Sequence, residues 1–374
     1  MLGRKPFAAS PLATKDDYTV PRRPEDVEAL PGSKTQRRIS HEFYKLRELE
    51  LRERASRLDR TDPRRLALHN SDRFSRQVFT ALPDNHFRPT NEIYRTAAAT
   101  CLGLPLTLAM GSAGRNVDKY GFSLSNNATA NTRHTIHNKL RDTIIFYMRL
   151  GCTTVSREPK DLLVSAQGGR SIIPDIAFAK SASPHFGKET LFDIKTLGGG
   201  TKEYTGNYSG PLLKGAAVRA GKVPGQYLSK ARKIDREDDP NLGPSQSAIG
   251  PLERILRSHG GAVGLCFGFY AEASPEVHRL VKVLAEKWVE QSSVEAFDFM
   301  GNKKQAEARV ARIIRRNWGL TCAFSWASHK ISALHRLNSR SAGLIQIAEE
   351  MEYDQQIDDN PAVLYDQAGS EEEC

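Results

Sequence analysis

The chain is 374 residues long, which allows two domains or one domain with long extensions. Its 54 Lys and Arg against 44 Asp and Glu give a net charge of +10, and no apolar stretch is long enough to cross a bilayer. A membrane partner is therefore not expected, and the opening residues, MLGRKPFAAS, lack the apolar core of a secretory signal.

Residues 1–40 are rich in Pro, Ser and charge without apolar periodicity, and are expected to form a disordered N-terminal segment. Residues 41–132 are expected to be a helical and loop extension. Within it, residues 40–60 are helical in pattern but highly charged, 73–106 are mixed helical, and 107–132 are small, polar and loop-like. A cleaner helix follows, with Ile136, Leu140, Ile144 and Tyr147 at helical spacing. A strand is expected to begin between Cys152 and Val155. Two short β-rich runs, Ile172 to Phe178 and Leu191 to Leu197, come next.

The segment from Lys214 to Arg236 holds seven Lys or Arg against the single acid Asp235. GAVGLCFGFY, residues 261–270, reads as a buried strand whose glycines mark close packing by a neighbour. Ser274, Pro275 and Glu276 then form a strong helix start. Two further helices, about 303–316 and 320–337, carry Arg309, Arg312, Arg315 and Arg316 on one and His329, Lys330, His335 and Arg336 on the other. The order helix, strands, helix, strand, helix across 133–292 predicts an α/β core with a mixed sheet. Residues 293–345 form a basic helical extension, and 346–374 an acidic disordered tail.

That tail carries ten acids and no Lys or Arg, so without it the remaining chain rises from +10 to +20. A body this basic points to a polyanionic partner, DNA foremost and RNA next, which the tail would mask when none is bound. The plain alternative is a solubilising excess of charge. Five cysteines lie far apart without a C-x-x-C pair, which argues against a zinc cage and against disulfides. No zinc is expected. The compartment expected is intracellular, the nucleus included, and not secretory; oligomeric state is not legible.

The chemistry is sought in the two β-rich runs, which carry Asp175 on one and Asp193 and Lys195 on the other. Residues i and i+2 of a strand share a face, so Asp193 and Lys195 point together while Phe192 and Ile194 turn to a core. Strand pairing would bring a mid-strand Asp175 alongside. Two close carboxylates need a cation, and hard oxygen ligands suit Mg²⁺ or Mn²⁺. Such a site serves phosphodiester hydrolysis. An exposed ion pair on the wet face of a sheet is the alternative.

The series IIPDIAF followed by LFDIK resembles the PD-(D/E)XK nuclease superfamily, whose fold is the restriction-endonuclease-like core. The resemblance implies that Asp175 and Asp193 bind metal and that Lys195 joins the catalytic set. It also implies a further acid from the preceding helix or strand, for which Asp142 and Glu158 are the candidates and Glu158 is preferred. More loosely, residues 75–335 are similar to the C-terminal endonuclease region of retrotransposon reverse-transcriptase proteins, without its zinc knuckle and without a polymerase domain.

His134, His137 and Arg141 recur along the helix before the site and are read as a solvated face, with a phosphate contact as the alternative. Lys222, Gln226, Lys230 and Lys233 on the basic segment, with Arg312 and Arg315 further on, are the candidate nucleic-acid contacts. The function expected is metal-dependent DNA endonuclease. A nucleic-acid-binding module of the same fold with a decayed site is the alternative, and a protein-interaction factor is a third.

Overall fold

The computed structural model describes residues 35–81, 88–106, 117–126, 130–151, 154–167, 169–178, 190–205, 214–240, 242, 249–292 and 302–341. The acidic tail and residues 1–34 lie outside that set. Before the sheet come α1 (Thr35–Ser56), α2 (Pro63–Asn70), α3 (Gln77–Thr80), α4 (Asn91–Leu102) and α5 (Phe122–Asn126). Thus α1 begins inside the stretch read as disordered. Helix α6 (Ala130–Gly151) leads into β1 (Val155–Arg157), β2 (Ile176–Phe178) and β3 (Thr190–Thr196). Helices α7 (Lys202–Thr205), α8 (Gly215–Asp238) and α9 (Pro251–Ser258) precede β4 (Ala262–Phe267), and α10 (Pro275–Gln291) and α11 (Lys303–Ser341) close the chain. The result is a mixed α/β protein in which helices dominate. No described helix is long and apolar enough to cross a membrane.

The four strands lie in the order β1-β2-β3-β4, the first two pairings antiparallel and β3–β4 parallel. The parallel pair requires a crossover, which α8 and α9 supply. Alternation along β3 sends Phe192 and Ile194 into a core with Ile144, Leu265, Leu284 and Trp318. Both side chains are fully buried, each contributing about 1.5–3 kcal/mol. The opposite face is covered as well. Leu191, Ala177 and Ala262 pack under Val223, Tyr227 and Ala231 of α8.

Gly264 of β4 makes the second layer fit. A Cβ there would lie 2.7 Å from the carbonyl oxygen of Ala220 and 2.8 Å from a Val223 methyl, so only glycine admits α8 this close. Pro224 lies inside α8 and supplies no N–H to Ala220, leaving that carbonyl without its usual helical partner.

The helical flanks join the same core. Phe74, Val78, Ala97 and Cys101 from the N-terminal side, and Val310, Trp318 and Trp326 from α11, belong to one cluster with Phe192 and Ile194. The two C-terminal helices expected from the sequence are one continuous helix of 39 residues. Gly319, between the two expected helices, is a notch in this one: a Cβ there would lie 2.7 Å from the Phe74 carbonyl oxygen. Lys330, assigned to a basic face, is buried, its ammonium donating to Thr100 Oγ1 at 2.6 Å and lying 3.7 Å above the Phe269 ring. Ser274 holds the N-cap position of α10, but its hydroxyl accepts from the Cys266 N–H in β4 and does not cap the helix.

Glu272, fully buried in the loop after β4, accepts from the Tyr204 hydroxyl at 2.6 Å and from the Tyr270 N–H at 3.1 Å. Burial pushes its carboxyl up to about 7, from an ordinary 4.5. The folded state therefore holds a proton that the unfolded chain has released between those values, and stability falls as pH rises through that window, then levels off. Urea melts at stepped pH are expected to show Glu272→Gln losing this contribution, which reaches about 1.4 kcal/mol per pH unit at most.

Candidate active site

The β2–β3 register pairs Ile176 with Phe192, and one step back it brings Asp175 opposite Asp193. Asp175 lies in the bend before β2, not in mid-strand as expected. Its carboxylate takes over where the ladder ends: Oδ2 accepts the Ile194 N–H at 2.6 Å and faces His137 Nε2 of α6 at 3.1 Å. Burial by itself would lower the imidazole's pKa, but the bond to Asp175 outweighs it and raises the net value.

Asp193 is buried, only 6% exposed. The face it shares with Lys195 is covered by α8 at Asp193, while Lys195 keeps about a third of its side chain in solvent. The Tyr227 hydroxyl donates to Asp193 Oδ1 at 3.0 Å, and Oδ2 lies 2.7 Å from the Lys195 ammonium. That second contact is an ion pair, and a carboxylate oxygen has lone-pair capacity for a further partner beside it. Burial pushes the Asp193 carboxyl up, and the charge of Asp175 adds to it. Lys195 and Tyr227 pull the other way without cancelling the rise. The Tyr227 hydroxyl is itself raised by burial and by Asp193.

Glu158 follows β1, its N–H donating to the Asp175 carbonyl at 2.9 Å. Its φ of 44° is in the left-handed region that a side chain rarely adopts, a strain that clusters at functional positions. The carboxylate itself ion-pairs with Arg141 Nη1, and Arg141 Nε also meets Asp142 Oδ1 at 3.1 Å. Both candidates for the extra acid are thus held by one buried arginine. Among the described residues no three His, Cys, Asp or Glu side chains converge as a metal cage. Mg²⁺ needs no such cage, since it is commonly held by one or two carboxylates with water and substrate phosphate. Asp175 and Asp193 fit that donor set, because a cation beside them would relieve the penalty that burial places on Asp193.

The proposed nucleic-acid contacts on α8 line up on its outer side. Lys222, Gln226, Lys230 and Lys233 are exposed around one shallow depression, with Lys222 Nζ 2.8 Å from Glu203. Arg312 is exposed and Arg315 half-buried on α11, which packs in the opposite helical layer, against α6 and α10. The structure does not bring these two arginines together with the paired aspartates.

Three residues that touch the candidate carboxylates were given no such role from sequence. His137, read as part of a solvated face, is half-buried against Asp175, and Arg141 at i+4 is buried. Their shared spacing was the available signal. Tyr227 stands in the inward row Val223, Tyr227, Ala231, where a lone hydroxyl among apolar residues marks a polar target beneath it.

No protein-family model, curated protein or solved structure matches this chain. The site stands on its own geometry.

Because its carboxyl is raised, an ionised Asp193 weakens the fold at neutral pH. Asp193→Asn in the presence of a chelator is expected to melt above the parent at pH 7. Scanning calorimetry should show that gain shrinking as pH falls towards the ordinary carboxylate range.

Proposed function

We propose that this chain is a metal-dependent DNA endonuclease built on a PD-(D/E)XK-like core. The observation that carries this reading is the convergence of Asp175, at the start of β2, with Asp193 and Lys195 of β3, the lysine 2.7 Å from the buried Asp193 carboxylate. The order α6, β1, β2, β3, α8, β4, α10, with a parallel final strand pair, supports it, as does the basic body of the chain. A mobile-element origin rests on the sequence resemblance alone.

Asp175 and Asp193 would hold Mg²⁺ or Mn²⁺. Such an ion acidifies a bound water and offsets charge gathering on a phosphate. The chain's own side chains do the rest. His137 and the Ile194 N–H fix the Asp175 carboxylate, and Tyr227 fixes that of Asp193, so neither turns when substrate arrives. Lys195, about a third exposed, places its ammonium where it can orient the attacking water or meet a non-bridging phosphate oxygen. Lys230 and Lys233 would contact backbone phosphates. Hydrolysis in this sense leaves a 3′ hydroxyl, which could prime synthesis in a mobile element.

A second reading keeps the fold and the binding without the cut. It is favoured by Glu158, whose carboxylate is engaged by Arg141 and not offered to the paired aspartates.

The test is cleavage of supercoiled and single-stranded DNA by purified protein with Mg²⁺ or Mn²⁺, beside Asp193→Ala and Lys195→Ala. Each substitution is expected to reduce the rate by on the order of 10²-fold or more. Binding without any cutting by the parent would move the conclusion to the second reading.

A further inference from the structure

Helix α8 carries three adjacent rows at four-residue spacing, the period that stacks side chains along a helix. The buried row is Val223, Tyr227 and Ala231. Beside it on the exposed side run Lys222, Gln226 and Lys230, and beside those Gly221, Gly225 and Ser229. The two outer rows and Lys233 line one open depression. At 1.5 Å per residue it extends about 18 Å along the helix.

The glycines of this depression have no internal explanation. A Cβ built on Gly221 or Gly225 meets nothing within 4 Å, and neither residue has a positive φ. Packing and backbone conformation would both accept alanine, a far better helix former. Bare helix is useful where another backbone must come close. The row alongside says which kind: Lys230 is an exposed cation, Lys233 is exposed with Glu237 at 3.9 Å, Gln226 and Ser229 add donors, and Lys222 shares its charge with Glu203. The inner row faces the sheet, where Tyr227 donates to Asp193, and the row of Gln226 and Lys230 lies between it and the glycines.

The geometry points to a docking track for one strand of nucleic acid along α8. Its sugar–phosphate backbone presses on bare helix at Gly221 and Gly225, and its phosphates meet Lys230 and Lys233. The track rests on the nucleic-acid part of the reading above and does not require cleavage. The occupant is committed to a phosphodiester strand because the floor is bare backbone and the row beside it cationic.

The experiment uses the full chain and a short fluorescent single-stranded DNA in chelator, alongside its duplex, so that nothing is cut. Gly221→Leu and Gly225→Leu fill the floor with a residue the helix favours. They are expected to melt at or above the parent temperature while affinity for the strand falls at least about tenfold. Lys230→Gln with Lys233→Gln should flatten the dependence of log affinity on log salt, by about 0.7 for each phosphate no longer neutralised. Leucine variants that fold and bind with parental affinity overturn the track, as does a parent that binds neither strand nor duplex. So does a gain of affinity in the leucine variants that deletion of residues 346–374 reproduces, because the acidic tail would then be the occupant. If the parent binds, the leucine variants do not, and no protein cuts when metal is added, the nuclease reading fails and the track stands.

Discussion

Strand β3 is roofed on both faces, and it carries an acid into one of the roofs. Most of the architecture around the site answers that constraint. A carboxylate with 6% exposure must be met by donors or by a cation. The Tyr227 hydroxyl and the Lys195 ammonium meet it in part. Tyr227 reaches Asp193 because α8 packs closely on the sheet, and it can do so because β4 has Gly264 and no side chain beneath Ala220 and Val223. One missing methyl in β4 thus sets the chemistry on β3. The residual electrostatic cost falls where a divalent ion would relieve it, the pattern of sites that trade stability for function.

The sequence was most legible where periodicity was strict. The apolar stripe of α6, the basic helix α8, the glycine-bearing β4 and the start of α10 all lie where their patterns place them. So do the inward Phe192 and Ile194. Asp175, Asp193 and Lys195 were found as a set because alternation in β3 and pairing with β2 are local rules. What escaped was tertiary. Nothing in LFDIK says that a second layer covers its polar face; that depends on Gly264, some seventy residues on. Pro174-Asp175 read as mid-strand, yet Asp175 terminates the ladder with its side chain. His137 and Arg141 looked like a wet helix face because an acid from another element is what dries them.

Charge was the least faithful guide. Lys330 belongs to a run that reads as a basic surface, yet it is buried over an aromatic ring and bonded to Thr100. Burial brings its pKa down to about 7, so the charge counted for it in the sequence is only partly present in the fold. On α8, by contrast, the lysines do face outward, because the opposite row is committed to the sheet.

Asp72 shows how far the structural unit extends beyond the motif. This buried carboxylate takes the Phe74 and Ser75 N–H groups of its own segment, the Ala273 N–H at 2.9 Å after β4, and His278 Nε2 at 3.0 Å on α10. It rivets the N-terminal helices to the strand end, while Trp318 and Trp326 do the same from the C-terminal side by packing alone. Packing and hydrogen bonds thus cross the boundaries drawn from the motif, near residues 133 and 292. A fragment cut there would carry a raw apolar flank and an ownerless loop. The shared core is that of the whole assembly of flanking helices and sheet, not of the strand pair that bears the acids.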